Sequence, residues 1–73
     1  MASLPVLSGQ EVVRTLQAFD WTVARSGNHI ILVKVGHSAT LSVPNHKEVA
    51  KGTPRSLIRD ASLTVGEFVA AVR

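Results

Sequence analysis

At 73 residues and without a single cysteine, the chain amounts to one domain, with neither disulfides nor thiolate metal ligands to staple it. A composition that is 45% hydrophobic and 18% charged belongs to a globular core rather than a disordered segment, and the longest apolar stretch, Ile30 to Val33, is far too short to cross a bilayer. Eight Lys and Arg against five Asp and Glu leave a net charge of +3, which either favours an anionic partner such as nucleic acid, an acidic protein or a membrane face, or does no more than keep a small domain soluble.

The first residues, Met1-Ala2-Ser3-Leu4-Pro5-Val6-Leu7, lack a basic region followed by a long apolar one, so they do not read as a signal peptide. Together with the missing cysteines this suits a protein of the reducing cytoplasm. Ser8-Gly9-Gln10-Glu11 has the form of a capping box, with Leu7 and Val12 placed to clasp across it. It predicts a helix from Gly9 to about Phe19 that buries Val12, Leu16 and Phe19, with Val13 alongside.

Three short runs follow: Trp21 to Ser26, His29 to Val35, and Ser38 to Val43. Gly27-Asn28 and Gly36-His37 separate them as two-residue connections with Gly first, which suits type II′ hairpin turns and an antiparallel meander. Thr53-Pro54 then opens a second helix, with Thr as N-cap and Pro at the first helical position, reaching about Ala61. Leu63-Thr64-Val65-Gly66-Glu67-Phe68 repeats the capping-box pattern and starts a last short helix burying Phe68, Val69 and Val72. The expected architecture is α+β in the order α-β-β-β-α-α, a single domain over residues 1–73. Its three-stranded antiparallel sheet is covered by helices on one face.

Hairpin turns fix register, and register fixes which residues share a face. The first turn pairs Arg25 with Ile30, Val23 with Leu32 and Trp21 with Lys34. The second pairs Leu32 with Leu41 and Ile30 with Val43. Val23, Ile30, Leu32, Ala39, Leu41 and Val43 then lie under the helices, with Trp21, Arg25 and Lys34 at the margins. The opposite face carries His29, Ile31, Val33 and Val35 among small and hydroxylated residues, and stays open. Apolar side chains on an open sheet face are unusual unless a partner covers them.

The three histidines at 29, 37 and 46 form no helical i, i+4 pair and have no carboxylate cluster beside them, so no metal site is expected. His29 is a lone imidazole in a basic field, able to act as general acid or base near neutral pH without a metal. RNA suits that chemistry because its 2′-hydroxyl supplies the nucleophile. The alternative is a polar surface residue on a strand. His37 reads as a solvated turn residue. His46, in Pro44-Asn45-His46-Lys47, reads as a structural residue or a phosphate contact. Lys47, Lys51, Arg55 and Arg59 recur every fourth residue, interrupted by Gly52. They make either a basic stripe leading into a helix N-terminus or a solvated face partly neutralised by Glu48 and Asp60. Arg25, Lys34, Lys47, Lys51 and Arg55 are the candidate phosphate contacts.

Taken in order, these residues resemble the HicA family of bacterial toxins, small ribonucleases of toxin–antitoxin pairs. The likeness runs through Leu4-Pro5-Val6-Leu7-Ser8-Gly9, Gly27-Asn28-His29, Val43-Pro44-Asn45-His46-Lys47, Lys51-Gly52-Thr53-Pro54-Arg55-Ser56-Leu57-Ile58-Arg59 and Ala61-Ser62-Leu63-Thr64-Val65-Gly66-Glu67-Phe68. It implies a double-stranded-RNA-binding-like fold and metal-independent mRNA cleavage by one histidine, with no cofactor. It also implies a HicB antitoxin that blocks the site. His29 stands at the family's histidine, after Gly27-Asn28 where the family has Gly-Ser. On this reading His29, Ile31 and Val33 form the antitoxin interface. Ser62 stands where the family usually has Gly, so it must turn left-handed or end the helix differently. A non-catalytic RNA-binding module, or a protein-interaction domain using Ile31, Val33 and Val35, would fit the same residues without the resemblance.

Overall fold

The structure, a computed structural model, describes residues 6–49 and 52–72. The elements are α1 (Gly9–Gln17), β1 (Thr22–Arg25), β2 (His29–Val33), β3 (Leu41–Pro44), α2 (Gly52–Asp60) and α3 (Val65–Ala71), the α+β order expected.

Both predicted capping boxes are closed. The Ser8 hydroxyl accepts from the Glu11 N–H at 3.1 Å, and the Ser8 N–H donates to Glu11 Oε1 at 3.0 Å. The Thr64 hydroxyl accepts from the Glu67 N–H at 3.1 Å, and the Thr64 N–H donates to Glu67 Oε1 at 2.9 Å. The Ser8 backbone N–H, helped by its hydroxyl and by Arg14, holds the Glu11 carboxyl below the usual range. A carboxylate depressed by folding stabilises above its unfolded pKa, so this cap loosens as the pH falls through the lowered value. Leu7 and Val12, flanking the first box, are both buried.

The end of α1 differs from expectation, and a left-handed residue is the reason. α1 stops at Gln17 instead of near Phe19 because Asp20 takes φ +72°. The Asp20 N–H donates to Gln17 O at 3.2 Å and the Trp21 N–H to Leu16 O at 3.3 Å, a Schellman closure. α2 closes the same way around Ser62 at φ +63°, with the Ser62 N–H to Arg59 O at 3.0 Å and the Leu63 N–H to Ile58 O at 2.9 Å. Ser62 therefore does turn left-handed. Since a side chain there costs roughly 1–2 kcal/mol and a new glycine returns part of that through the unfolded chain, Ser62→Gly is expected to stabilise by about 0.5–1 kcal/mol. A rise in melting temperature of about 2–8 °C would show it, and no rise would mean that the serine makes a compensating contact. At its start, α2 takes in Gly52, one residue ahead of the expected cap, so Thr53 is helical and Pro54 lies in the first turn. Proline is tolerated there because the N–H it lacks has no helical partner.

The sheet runs β1-β2-β3, antiparallel throughout. Between β2 and β3 the expected register holds, with Ile30 opposite Val43 and Leu32 opposite Leu41. Between β1 and β2, Val23 faces Leu32 as expected, but a bulge then places Arg25 opposite Ile31 instead of Ile30. The connecting turn is not type II′ either, because Gly36 is the only glycine among the described residues with positive φ. The second turn sits one residue early. The His37 N–H donates to Lys34 O at 3.1 Å, and Gly36 at φ +80° occupies the third position of a type II turn. β2 consequently ends at Val33 and β3 begins only at Leu41, both shorter than the predicted runs.

Along β2 and β3 the face assignment survives these changes. Ile30, Leu32, Leu41 and Val43 are at most 2% exposed and pack with Leu7 and with Val12, Leu16, Leu57, Ile58 and Phe68 from the helix layer. His29 and Ser42 are exposed on the other face. Val33 is 41% exposed there, Ile31 is half-buried and not exposed as expected, and Val35 has left the strand for the turn, fully exposed. His37 is not a solvated turn residue. It is half-buried against Trp21, with ring centroids 5.0 Å apart, and its Nδ1 accepts from the Ala39 N–H at 3.2 Å. Among the described residues no helix is long and apolar enough to cross a membrane.

Candidate active site

His29 opens β2 at the edge of the uncovered face, opposite Pro44 of β3. Its turn is held from the far side of the chain. The Asn45 N–H donates to Asn28 O at 3.0 Å, and Asn45 Nδ2 donates to Gly27 O at 3.3 Å. The same carboxamide accepts, through Oδ1, from Gln10 Nε2 at 3.2 Å. Asn45 thus ties the turn before His29 to the first turn of α1. Two backbone bonds secure the same junction: the Gly9 N–H to His46 O at 2.8 Å, and the Val49 N–H to Leu7 O at 2.8 Å. Gly9 has no room for a side chain, because a Cβ would run into Pro44 O and come within 3.0 Å of Asn45 Cα.

Asn45 is the residue that the sequence reading passed over while weighing His46 beside it. The available signal was a carboxamide, donor and acceptor at once, immediately after a strand ending in proline. His46 contributes its carbonyl to the junction, and its side chain is exposed. His37 packs on Trp21, which belongs to the helix-covered core. The three histidines are not brought together, and among the described residues no three His, Asp or Glu side chains converge on a point that could hold a metal ion.

The candidate phosphate contacts do not form one patch. Arg25 was expected at the margin of the helix-covered face. The bulge moves it across the sheet, because a residue opposite Ile31 shares Ile31's side. Lys34 is half-buried just beyond β2, Lys47 is exposed after β3, and Lys51 lies outside the described residues. Arg55 and Arg59 are exposed on α2, in the layer on the other side of the sheet from His29.

A cleft of about 540 Å³ between β3 and α2 is lined by Thr40, Ser42, Thr53, Ser56 and Asp60, and one of about 340 Å³ lies by Arg14 and Ala71. Neither includes His29. The imidazole stands on an open surface, which suits a polymer laid across the sheet better than a small molecule, whose sites are concave.

A small α+β domain presenting one histidine on an open sheet face has a counterpart among known families. Residues 9–63 match the family model described as the HicA toxin of bacterial toxin–antitoxin, which defines the class as the toxin half of such a pair. The match spans most of the 73 residues, and the chain belongs to the HicA toxin family. No curated protein and no solved structure matches it.

Proposed function

We propose that this chain is a metal-independent endoribonuclease of the cytoplasm that cleaves mRNA with His29 and is held inactive by a HicB-like antitoxin. The observation that carries the reading is the exposed His29 on the uncovered sheet face, in a member of this toxin family. RNA brings its own nucleophile. The imidazole takes the proton of the 2′-hydroxyl, the 2′-oxygen attacks the adjacent phosphorus, and the bond to the 5′-oxygen breaks as that oxygen is protonated from solvent. Cleavage then leaves a 2′,3′-cyclic phosphate and a free 5′-hydroxyl.

Arg25, Lys34 and Lys47 contact phosphates along the strand laid across the sheet, Lys51 joins them on the sequence reading, and Arg55, on the helix side of the sheet, stands apart from that path. Such contacts make affinity fall with salt without selecting bases. The test is cleavage of an oligoribonucleotide in excess chelator, beside the same oligonucleotide with one 2′-deoxy sugar at the cut. The deoxy linkage should resist while chelation changes nothing. A deoxy linkage cut equally well would make water the nucleophile. Binding without cleavage would favour the non-catalytic RNA-binding module.

The antitoxin covers His29, Ile31 and Val33 together, hiding the apolar patch and occluding the imidazole. An acidic partner would be steered toward this +3 chain and held by the buried apolar contacts. Val33→Asp, which places an unpaired charge in that contact, is expected to weaken antitoxin binding by at least about 30-fold, the effect of losing a hot spot. Titration of the toxin with antitoxin by calorimetry reads this directly. Unchanged affinity would place the inhibitory contact elsewhere.

A further inference from the structure

Among the described residues, Arg25 is the only Lys or Arg that stands in a strand, and the bulge decides which side of the sheet it serves. In an unbroken ladder Arg25 would face Ile30, which is buried under the helices. The extra residue, Ala24, puts both Ala24 and Arg25 against Ile31, and both are exposed. His29 lies two residues before Ile31 on β2, so Arg25 and His29 are diagonal neighbours on one face. That relation separates Cβ atoms by about 7–8 Å or less, a gap that an arginine side chain spans. Bulges beside reactive sites commonly re-aim one side chain in this way. The other described cations stand elsewhere: Arg14 on α1, Arg55 and Arg59 on α2, and Lys34 and Lys47 beyond the strand ends.

We infer that Arg25 contacts the scissile phosphate itself and stabilises the charge that develops there, apart from the cations that hold the strand. This rests on the ribonuclease reading. When the 2′-oxygen attacks, a second negative charge builds on the two non-bridging oxygens of the phosphorus. His29 moves a proton but does not neutralise that charge. A guanidinium presents two parallel N–H donors at the spacing of two such oxygens, and keeps its charge at any working pH. The residue directly opposite it, Ile31, and one of its two diagonal neighbours, Val33, are apolar, which strengthens the attraction once the substrate displaces water from the face.

The test is steady-state cleavage of an oligoribonucleotide with one cleavable linkage. Arg25→Gln is expected to lower kcat by about 10²-fold or more, the usual effect of removing one charge-stabilising donor, with a much smaller change in KM. Arg25→Lys should recover part of the rate, because the charge returns without the paired donors. Lys34→Gln, by contrast, should act on KM and on the salt dependence. With sulfur replacing either non-bridging oxygen, the wild type should slow for both diastereomers, and Arg25→Gln should lose most of that sulfur effect. Circular dichroism checks that the variants fold, with Arg25→Lys the milder change. An unchanged kcat with a raised KM in Arg25→Gln, while His29→Ala is inactive, overturns the assignment and leaves the ribonuclease reading intact. Wild-type protein that cleaves no RNA overturns both.

Discussion

His29→Ala is expected to cleave RNA at least about 10²-fold more slowly than the wild type, the share a positioned acid–base group contributes. The fold should hardly notice. His29 is exposed, and its place in the sheet is fixed by backbone pairing with Pro44 and by Asn45, not by the imidazole. Surface substitutions of this kind stay within about 0.5 kcal/mol, so the melting temperature should move by no more than about 4 °C. The two measurements belong together, because a slow variant that melts like the wild type has lost chemistry and not structure. Growth on induction gives the same comparison in a cell: the wild type should arrest growth and degrade mRNA, and the alanine variant should do neither. Full cleavage by His29→Ala would remove the histidine from the mechanism.

The largest structural effect is expected at Gly9. Alanine there drives a methyl group into the Pro44 carbonyl and against Asn45 Cα, and backbone cannot swing aside as a side chain could. Overpacking of this kind costs about 1–3 kcal/mol, and the upper part of that range corresponds to a melting temperature lower by on the order of 10–20 °C. The folded fraction should also cleave more slowly, since the displaced segment carries the Asn45 that holds the His29 turn. Gly27→Ala is the comparison for stability: a Cβ at Gly27 meets nothing within 4 Å and its φ is not positive, so it should melt close to the wild type. Equal melting of the two variants would mean that α1 and the end of β3 slide apart without cost.

The starts of α1 and α3 were legible because a capping box is complete within four residues of sequence. The end of α1 was not, because Asp20 takes a left-handed angle that aspartate adopts only occasionally, while the end of α2 near Ala61 was read from the sequence and a left-handed Ser62 was one of the two outcomes that the resemblance left open. The side of the sheet on which His29 stands followed from alternation along β2 and from the β2–β3 register. Arg25 was misplaced because one inserted residue reverses alternation beyond it, and Ala24 carries no mark of a bulge. Asn45 acts on a turn 18 residues away, and although its carboxamide after the strand marks a hydrogen-bonding residue, nothing local names the partner. The Trp21–His37 packing was hidden for the same reason, the two residues meeting only once the sheet has formed.

Three of the amides described above, those of Gly9, Asn45 and Val49, donate to carbonyls of His46, Asn28 and Leu7, so each bond joins segments distant in the chain. All three involve the one segment 45–49, so they should open together and not one at a time. Their hydrogens should therefore exchange with deuterated solvent to a similar extent, while the amides of the turn at Gly36 exchange earlier. The turn that carries His29 shares those slow bonds. The reactive corner should come apart as one piece with the start of α1, and warming should switch off catalysis when that junction opens.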